Sequence, residues 1–396
     1  MDSAIQPASR GPKRLAKNLP GSHGSLIPIL ALGLLPFLSI SLALTGQEAK
    51  VEGDSWEVFR GNPAQNGVSN QEMRGPLKIQ WKVLAKDAIE STAGVFRGKV
   101  YFGSLDENLY CLDAKTGQTV WVKKCGPIKA PVAINHSTVY AGDINGLFHC
   151  CDATNGNPKW TFQTQGEISG GACFFNKLLL FGSQDEHLYC LDEAGKEKWK
   201  FRMDGPFFGS CAIQEGKTFA AGCDSTLHVL DVLTGKEIHA LDLGGQTGAT
   251  ASLSGDSLYV GTMSNQVLGI NWKKPSVQWT YEPAKRAQPF FSSCAIAHGL
   301  VVVGGRDKKI HAINQATGLV KWEFTTEGKV DGSPLILGNK VLAGSFDGNL
   351  YVLELATGKL TQKLDLGGEL AASPVFAGNS IYIGNTKGVF YCLRAE

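Results

Sequence analysis

The residues of this sequence with the widest range of possible chemistry are its ten cysteines and eight histidines. Two of the cysteines, Cys150 and Cys151, are adjacent. In an exported chain, ten cysteines favour a disulfide framework, and cysteine together with histidine is the usual ligand set of structural zinc. Both possibilities depend on where the fold places these side chains.

Acidic residues recur in turn-like sequences, and they would form a ring if those turns met at one end of a closed fold. Asp, Asn and Gly also build turns through their own backbone preferences, and we favour this role because it explains every copy. The residues concerned are Asp106, Glu107, Asp143, Asp185, Asp224, Asp307 and Asp347.

Motifs and charge exclude several classes of function. The sequence contains no haem-attachment motif, phosphate-binding loop, dinucleotide-binding glycine motif or G-x-S-x-G nucleophile motif. Its 38 basic and 36 acidic residues give a formal net charge of +2. Nucleic acid is therefore not an expected partner, because binding it requires a concentrated basic surface.

A period of about 40 residues organises the chain, which indicates stacked supersecondary units. A glycine ends a β-rich run in each unit, at spacings of 39 to 43 residues, and these glycines are Gly103, Gly142, Gly182, Gly222, Gly261, Gly304, Gly344 and Gly384. Each unit contains four short apolar runs separated by turn residues. Four strands per 40 residues is typical of a propeller blade, so the sequence predicts an all-β, eight-bladed β-propeller with four-stranded antiparallel blades.

A second pattern lies between the third and fourth strands of a unit. In the segment 111–121 a small residue is followed by Asp113, the pair Thr116 and Gly117, and then Trp121. The glycine supplies a tight turn, and the tryptophan can lie over a small residue and join its blade to a neighbour. The predicted docking residues are Trp81, Trp121, Trp160, Trp199, Trp279, Trp322, Gly117, Gly156, Gly235, Gly318 and Gly358.

This pattern resembles the tryptophan-docking repeats of the PQQ-like β-propeller family, which includes BamB-like outer-membrane assembly factors. The resemblance covers about residues 56–396, and the segment Trp56–Val68 is similar to the one that introduces these propellers. It implies either a binding scaffold, as in the BamB-like members, or a quinoprotein dehydrogenase that oxidises an alcohol or sugar with bound PQQ.

The repeat register assigns structural roles to the cysteines and histidines. Cys111, Cys150, Cys190 and Cys392 occupy the small-residue position, and strands of neighbouring blades lie too far apart there for disulfides, so we expect free, buried thiols. Some family dehydrogenases carry an adjacent disulfide at the cofactor, but Cys151 aligns with leucine or isoleucine, and strand neighbours point to opposite faces. Tyrosine replaces the histidine in other units, which indicates packing rather than metal binding. These histidines are His149, His228 and His311.

The ends of the repeat predict how the ring closes. The eighth unit has Cys392 but lacks the Thr-Gly turn and the fourth-strand tryptophan, whereas Trp81 precedes the first complete unit. We therefore expect the strand around Trp81 to complete the last blade, which removes two exposed sheet edges.

The first 55 residues differ in composition from the repeats. Residues 1–25 form a basic leader that stays in the cytoplasm, and residues 26–45 form a signal peptide or a membrane anchor, since positions 26–44 carry no charge. Residues 46–55 form a linker before the propeller at 56–396. We expect an exported, periplasmic or cell-envelope protein, associated with a membrane through 26–44 only if that segment is uncleaved.

The function predicted from these features is a non-catalytic, monomeric scaffold that binds a protein partner in the periplasm or at a membrane. No cofactor or metal is expected, because the short units leave no insertion to cover PQQ. The alternative is the PQQ-dependent dehydrogenase. The longest spacing, between Gly261 and Gly304, suggests a partner-binding patch with exposed aromatic residues, formed by Lys273, Lys274, Lys285, Arg286, Phe290 and Phe291. A solvated loop is an equally good interpretation of that segment.

Overall fold

The computed structural model describes residues 55–285 and 287–395. The predicted leader, the apolar segment 26–45, all of the predicted linker except Ser55, and Arg286 lie outside the described residues. Within these ranges, no helix has the length and apolar character needed to cross a membrane.

Eight sheets confirm the predicted all-β propeller with four-stranded antiparallel blades, and the short strand Val68–Ser69 adds a fifth, parallel strand to the sheet of blade 7. Blades 1 to 7 each take four consecutive strands, starting with the strand Gly94–Phe96, and blade 8 combines the last three strands of the chain with the early strand Leu77–Leu84. A 3-10 turn spans Phe59–Gly61. The strands are β1 (Val68–Ser69), β2 (Leu77–Leu84), β3 (Gly94–Phe96), β4 (Lys99–Ser104), β5 (Asn108–Asp113), β6 (Thr119–Lys124), β7 (Ala133–Asn135), β8 (Thr138–Gly142), β9 (Leu147–Asp152), β10 (Pro158–Gln163), β11 (Cys173–Phe175), β12 (Leu178–Ser183), β13 (His187–Asp192), β14 (Glu197–Arg202), β15 (Ala212–Gln214), β16 (Lys217–Ala221), β17 (Thr226–Asp231), β18 (Glu237–Asp242), β19 (Ser252–Ser254), β20 (Ser257–Gly261), β21 (Val267–Asn271), β22 (Ser276–Tyr281), β23 (Ala295–Ala297), β24 (Leu300–Gly305), β25 (Lys309–Asn314), β26 (Val320–Thr325), β27 (Leu335–Leu337), β28 (Lys340–Gly344), β29 (Asn349–Glu354), β30 (Leu360–Asp365), β31 (Val375–Ala377), β32 (Ser380–Gly384) and β33 (Val389–Ala395).

Burial within a blade follows the position of each strand. The third strand β5 buries its four central residues, because both of its faces pack against neighbouring blades. The fourth strand β6 alternates exposed and half-buried residues, because it lies at the outer rim. The continuous apolar runs and the alternating runs of the sequence therefore correspond to middle and outer strands.

Ring closure occurs as the sequence predicted. Strand β2 pairs antiparallel with β33, from Leu77 opposite Ala395 to Leu84 opposite Val389. In this register Trp81 lies opposite Cys392, as Trp121 lies opposite Cys111 in blade 1. The two ends of the propeller are thus held in one sheet.

Six seams between blades use the same tryptophan contact. The ring of Trp121 in blade 1 covers Gly156 in blade 2, where an added Cβ would lie 2.8 Å from Cε3 of the indole. The indole N–H donates to the carbonyl of Ala153 at 3.0 Å. The tryptophan therefore requires a glycine beneath its ring and a carbonyl at its edge. The six pairs are Trp81 with Gly117, Trp121 with Gly156, Trp160 with Gly195, Trp199 with Gly235, Trp279 with Gly318, and Trp322 with Gly358.

The seam between blades 4 and 5 reverses this arrangement. Blade 4 has His239 where other blades have the tryptophan, and His239 is exposed. Trp272, from the turn of blade 5, is only 2% exposed, and its ring lies edge-on at 5.2 Å from Phe219 of blade 4. The large ring at this seam therefore comes from the following blade.

The seam between blades 7 and 8 replaces the tryptophan with Gln362. The Gln362 amide donates to the Leu77 carbonyl at 2.8 Å and accepts from the Leu77 N–H at 2.8 Å. Leu77 begins β2, at the place where other blades have their Thr-Gly turn. The side-chain amide thus anchors the strand that closes the ring.

The segment 56–69 crosses the axis of the propeller and bonds to the first strands of most blades. Trp56 exchanges two backbone hydrogen bonds with Val95 of blade 1, at 2.8 and 2.9 Å. Carbonyls farther along the segment accept from one backbone N–H in each of five more blades, those of Ile134, Ile213, Leu253, Ile296 and Ile336. We call residues 56–69 the axial segment, because the first strands that it contacts surround the axis.

Replacing Gly156 by alanine should destabilise the protein more than replacing Gly299. Both glycines adopt a positive φ, +71° and +74°, but an added Cβ at Gly299 meets nothing within 4 Å. The backbone strain is therefore shared, and the contact with Trp121 is specific to Gly156. We expect Gly299→Ala to cost about 1 kcal/mol and Gly156→Ala about 1–3 kcal/mol more, measured by urea unfolding. Equal losses would contradict the tryptophan contact.

Gln362→Ala should weaken ring closure, because it leaves both backbone groups of buried Leu77 without their partner. We expect a loss of about 1–2 kcal/mol in the free energy of unfolding. The matched control is Gln278→Ala, since Gln278 is exposed on a fourth strand and, within the described ranges, its side chain bonds to Ser276 alone. A loss no larger than that of the control would show that Gln362 does not anchor β2.

Candidate functional site

Six of the acidic turn residues bond to a tyrosine or histidine of their own blade. Asp185 accepts a hydrogen bond from the Tyr189 hydroxyl at 2.8 Å, and Asp143 lies 2.7 Å from Nε2 of His149. The third-strand position that holds tyrosine or histidine therefore has a polar role as well as a packing role, since each of these side chains bonds to the turn carboxylate. The other pairs are Asp106 with Tyr110, Asp224 with His228, Asp307 with His311, and Asp347 with Tyr351.

Burial and hydrogen bonding together shift the pKa values of His228 and Asp143 in these pairs. Burial alone disfavours the charged imidazole of His228, but the hydrogen bonds that it donates to Asp224 and Glu237 outweigh burial and raise its pKa. Burial would raise the pKa of Asp143, but hydrogen bonds from His149 and from the Leu147 N–H lower it overall. These side chains stabilise turns, and each histidine already has a carboxylate partner.

The cysteines are thiols distributed through the blades. All ten are free; eight are buried, and Cys125 and Cys223 are half-buried. Burial raises the pKa of Cys150 to about 12, and burial likewise raises the pKa of Cys151. A protonated thiol is a poor nucleophile. Among residues 55–285 and 287–395, no three His, Cys, Asp or Glu side chains are grouped as they would be around a metal ion.

Six hydroxyl residues form a chain of hydrogen bonds around the axis, which we call the hydroxyl ring. Each lies two residues before the first strand of its blade. Its hydroxyl oxygen accepts a hydrogen bond from the backbone N–H of the residue at the same position in the preceding blade, at 2.8 to 3.1 Å. Blades 2 and 3 interrupt the ring with Pro131 and Gly171. The members are Thr92, Ser210, Thr250, Ser293, Ser333 and Ser373.

The sequence analysis missed this ring, although a signal was present. Serine or threonine recurs at the same distance before the first strand in six of the eight units. Neither residue type is distinctive by itself, and only the closed ring shows that each hydroxyl meets the next blade.

Arg60 of the axial segment lies against this ring and is 2% exposed. Its guanidinium donates to the carbonyls of Pro334 and, at 2.9 Å, of Cys294, the residues that follow ring members Ser333 and Ser293. Burial lowers the pKa of Arg60 to about 9, so the side chain is still charged at neutral pH.

The structure separates the residues of the predicted partner patch. Lys273 and Lys274 lie in the turn between the third and fourth strands of blade 5, and Lys273 pairs with Glu215 and Asp256 at 3.1 and 2.9 Å. Lys285, Phe290 and Phe291 lie in the connection to blade 6, at the opposite end of the blade. We call these ends the turn face and the connection face. Arg286 lies outside the described residues.

The expectation that Phe290 is exposed was wrong. Phe290 is fully buried and packs edge-on against His311, because the first aromatic residue of the connection enters the space between blades 5 and 6. Phe291 is half-buried, and the guanidinium of Arg306 lies 3.8 Å above the centre of its ring. The aromatic character of the patch therefore depends on Phe291.

A group of cations and aromatic rings on the connection face surrounds Phe291. Asp331 binds Arg306 through two hydrogen bonds, at 2.9 and 3.0 Å, and it pairs with Lys329 at 3.1 Å. Lys329 lies 4.0 Å above the ring of Phe346. We call Phe291, Arg306, Lys329, Asp331 and Phe346 the aromatic–cation patch, and it spans blades 6 and 7.

Solved structures similar to this chain share its fold. One is BamB from Moraxella catarrhalis, with a TM-score of 0.71 and 16% identity, covering 81% of this chain and 100% of that one. Another is the quinohemoprotein alcohol dehydrogenase from Comamonas testosteroni, with a TM-score of 0.75 and 13% identity, covering 87% of this chain and 81% of that one. At such low identities the likeness is one of architecture.

Sequence comparisons identify the family. A curated relative, the beta-alanine-activating enzyme of Danio rerio, is 34% identical over 100 residues, which are 23% of this chain and 9% of that protein. The chain thus matches less than a tenth of the length of that relative. A family model described as outer membrane protein assembly factor BamB matches residues 78–172, 145–288 and 240–396, which together cover most of the chain. The chain therefore belongs to the BamB-like family of β-propeller proteins.

Proposed function

We propose that this chain is a non-catalytic scaffold, exported from the cytoplasm, whose propeller binds a protein partner in the cell envelope. Within that role, assembly of outer-membrane proteins is the activity that the family description suggests. Residues 26–44 would add membrane association if they are retained after export. The observation that carries the proposal is the aromatic–cation patch on the connection face.

The patch has the composition of an interaction hot spot. Arginine and aromatic residues are enriched in hot spots because they provide large contact areas and directed hydrogen bonds. The side chains of Arg306 and Lys329 are 35% and 37% exposed, while Asp331, at 14%, holds both cations in place. A partner would therefore meet cations that are already ordered, which reduces the entropy lost on binding.

The dehydrogenase alternative is supported by the likeness in fold to the quinohemoprotein alcohol dehydrogenase. Fold alone does not imply function, because one architecture carries many activities. In the described blades, the repeat histidines are bound to turn carboxylates, and Cys150 and Cys151 are free thiols in a strand. These residues therefore support a structural role better than a catalytic one.

Arg306→Ala combined with Lys329→Ala should reduce partner recovery at least about tenfold, as expected for losing one hot-spot contact. The wild-type protein and each variant would be cross-linked in the membrane fraction and purified. The partner recovered with each would be quantified by mass spectrometry. Lys274→Ala is the matched control, because Lys274 is exposed on the turn face. Lys285→Glu tests whether the connection before Phe291 belongs to the same interface. Equal recovery with the double variant and with Lys274→Ala would remove the patch from the proposal.

Purified protein supplied with PQQ and Ca²⁺ should show no dye reduction above background with primary alcohols or aldose sugars. The scaffold proposal expects this result because the short units provide no cover for a quinone. A purified quinoprotein dehydrogenase in the same assay is the positive control. Substrate-dependent turnover would overturn the proposal and favour the enzyme.

A further inference from the structure

Two cysteines meet near the axis, where blades 3 and 4 join. Cys173 is the first residue of β11 in blade 3, and Cys211 directly precedes β15 in blade 4. The thiol of Cys173 donates a hydrogen bond to the carbonyl of Cys211 at 2.6 Å. The thiol of Cys211 also hydrogen-bonds with that of Cys173, and this contact together with burial raises the pKa of Cys173 well above its usual range. The two thiols are therefore neighbours across the seam.

The axis is the part of the propeller where neighbouring blades come closest. Packed sheets lie about 10 Å apart, which separates the cysteines that occupy third strands. The first strands converge, and the Cα atoms of β11 and β15 approach within 8 Å. A disulfide requires Cα atoms within about 7 Å and two sulfur atoms that can touch. Contact between the two thiols meets the second requirement, so the first needs at most a small movement of the backbone.

The seam between blades 5 and 6 repeats this arrangement with one oxygen in place of one sulfur. Ser252 begins the first strand of blade 5, as Cys173 begins that of blade 3, and its hydroxyl donates to the carbonyl of Cys294 at 2.8 Å. Cys294 directly precedes β23, as Cys211 precedes β15. A serine therefore makes the same backbone contact as Cys173. The contact alone does not require a thiol, and the pairing of two thiols is what distinguishes the seam between blades 3 and 4.

The axial segment covers this cysteine pair. The side-chain amide of Gln65 donates to the sulfur of Cys173 at 3.1 Å, and the carbonyl of Pro63 accepts from the N–H of Ile213, two residues after Cys211, at 2.8 Å. Gln65 and both cysteines are fully buried. A buried, protonated thiol exchanges slowly with a disulfide. The two sulfur atoms are therefore open to an oxidant before the axial segment docks, and they are shielded from reductants afterwards.

We propose that Cys173 and Cys211 form a disulfide between blades 3 and 4 when the chain folds in the presence of a disulfide oxidant. Each thiol loses its hydrogen, and one sulfur–sulfur bond forms. A disulfide of the oxidant accepts the two electrons and two protons and becomes two thiols. Compartments outside the cytoplasm supply such oxidants, so formation of the bond in the cell rests on the proposed export. The bond fixes the seam over which the axial segment then lies.

Refolding with an added oxidant tests the bond independently of export. The full chain would be unfolded with a reductant and refolded with oxidised and reduced glutathione, and the soluble protein would be alkylated and mapped by mass spectrometry. We expect one linked pair of peptides that contain Cys173 and Cys211, lighter by two hydrogens than the separate peptides. Cys294 is the matched control and should be alkylated as a free thiol, because its neighbour is Ser252. Recovery of Cys173 and Cys211 unlinked, or linked to other cysteines, would overturn the proposal and leave the proposed scaffold function unaffected.

Thermal unfolding tests whether the bond stabilises the propeller. Wild-type protein refolded with glutathione should have a Tm about 3–6 °C higher than wild-type protein refolded with a reductant, because a cross-link lowers the entropy of the unfolded chain. Cys173→Ser should fold, since Ser252 makes the same contact in blade 5, and its two preparations should have equal Tm values. Equal Tm values in the two wild-type preparations would contradict the bond.

Discussion

The antiparallel pairing of β2 with β33 is the interaction on which the propeller depends. It joins residues more than 300 positions apart, from Leu77 opposite Ala395 to Leu84 opposite Val389. Without it, blade 8 would lack its outer strand, and two sheet edges would remain open. The pairing also places Trp81 over Gly117 of blade 1, so the closing strand completes a seam as well as a sheet.

The seams show how one packing problem is solved in three ways. Six seams use a tryptophan over a turn glycine; the seam between blades 4 and 5 takes its ring from Trp272, and the seam between blades 7 and 8 uses the amide of Gln362. Each solution matches the residue that the next blade places at the seam. Blade 8 has no Thr-Gly turn, and there a side-chain amide bonds the backbone of the incoming strand.

The axis and the connection face have different chemistry and suggest separate roles. The axis is occupied by a segment whose backbone bonds to six blades, with a charged arginine inside the hydroxyl ring. The connection face carries ordered cations over aromatic rings, which suits contact with another protein.

The sequence by itself determined the blade count, the strand pattern, the strand around Trp81 that completes the last blade, and the repeat positions that the cysteines occupy. These follow from local periodicity, because each repeat encodes the same alternation and the same turn. The tertiary structure decided what single repeats do not encode. It split the predicted patch between two faces and buried Phe290, because the path of the connection between blades sets which residue turns inward. It also brought Arg60 to the hydroxyl ring, because contacts between residues more than 200 positions apart form only when the ring closes.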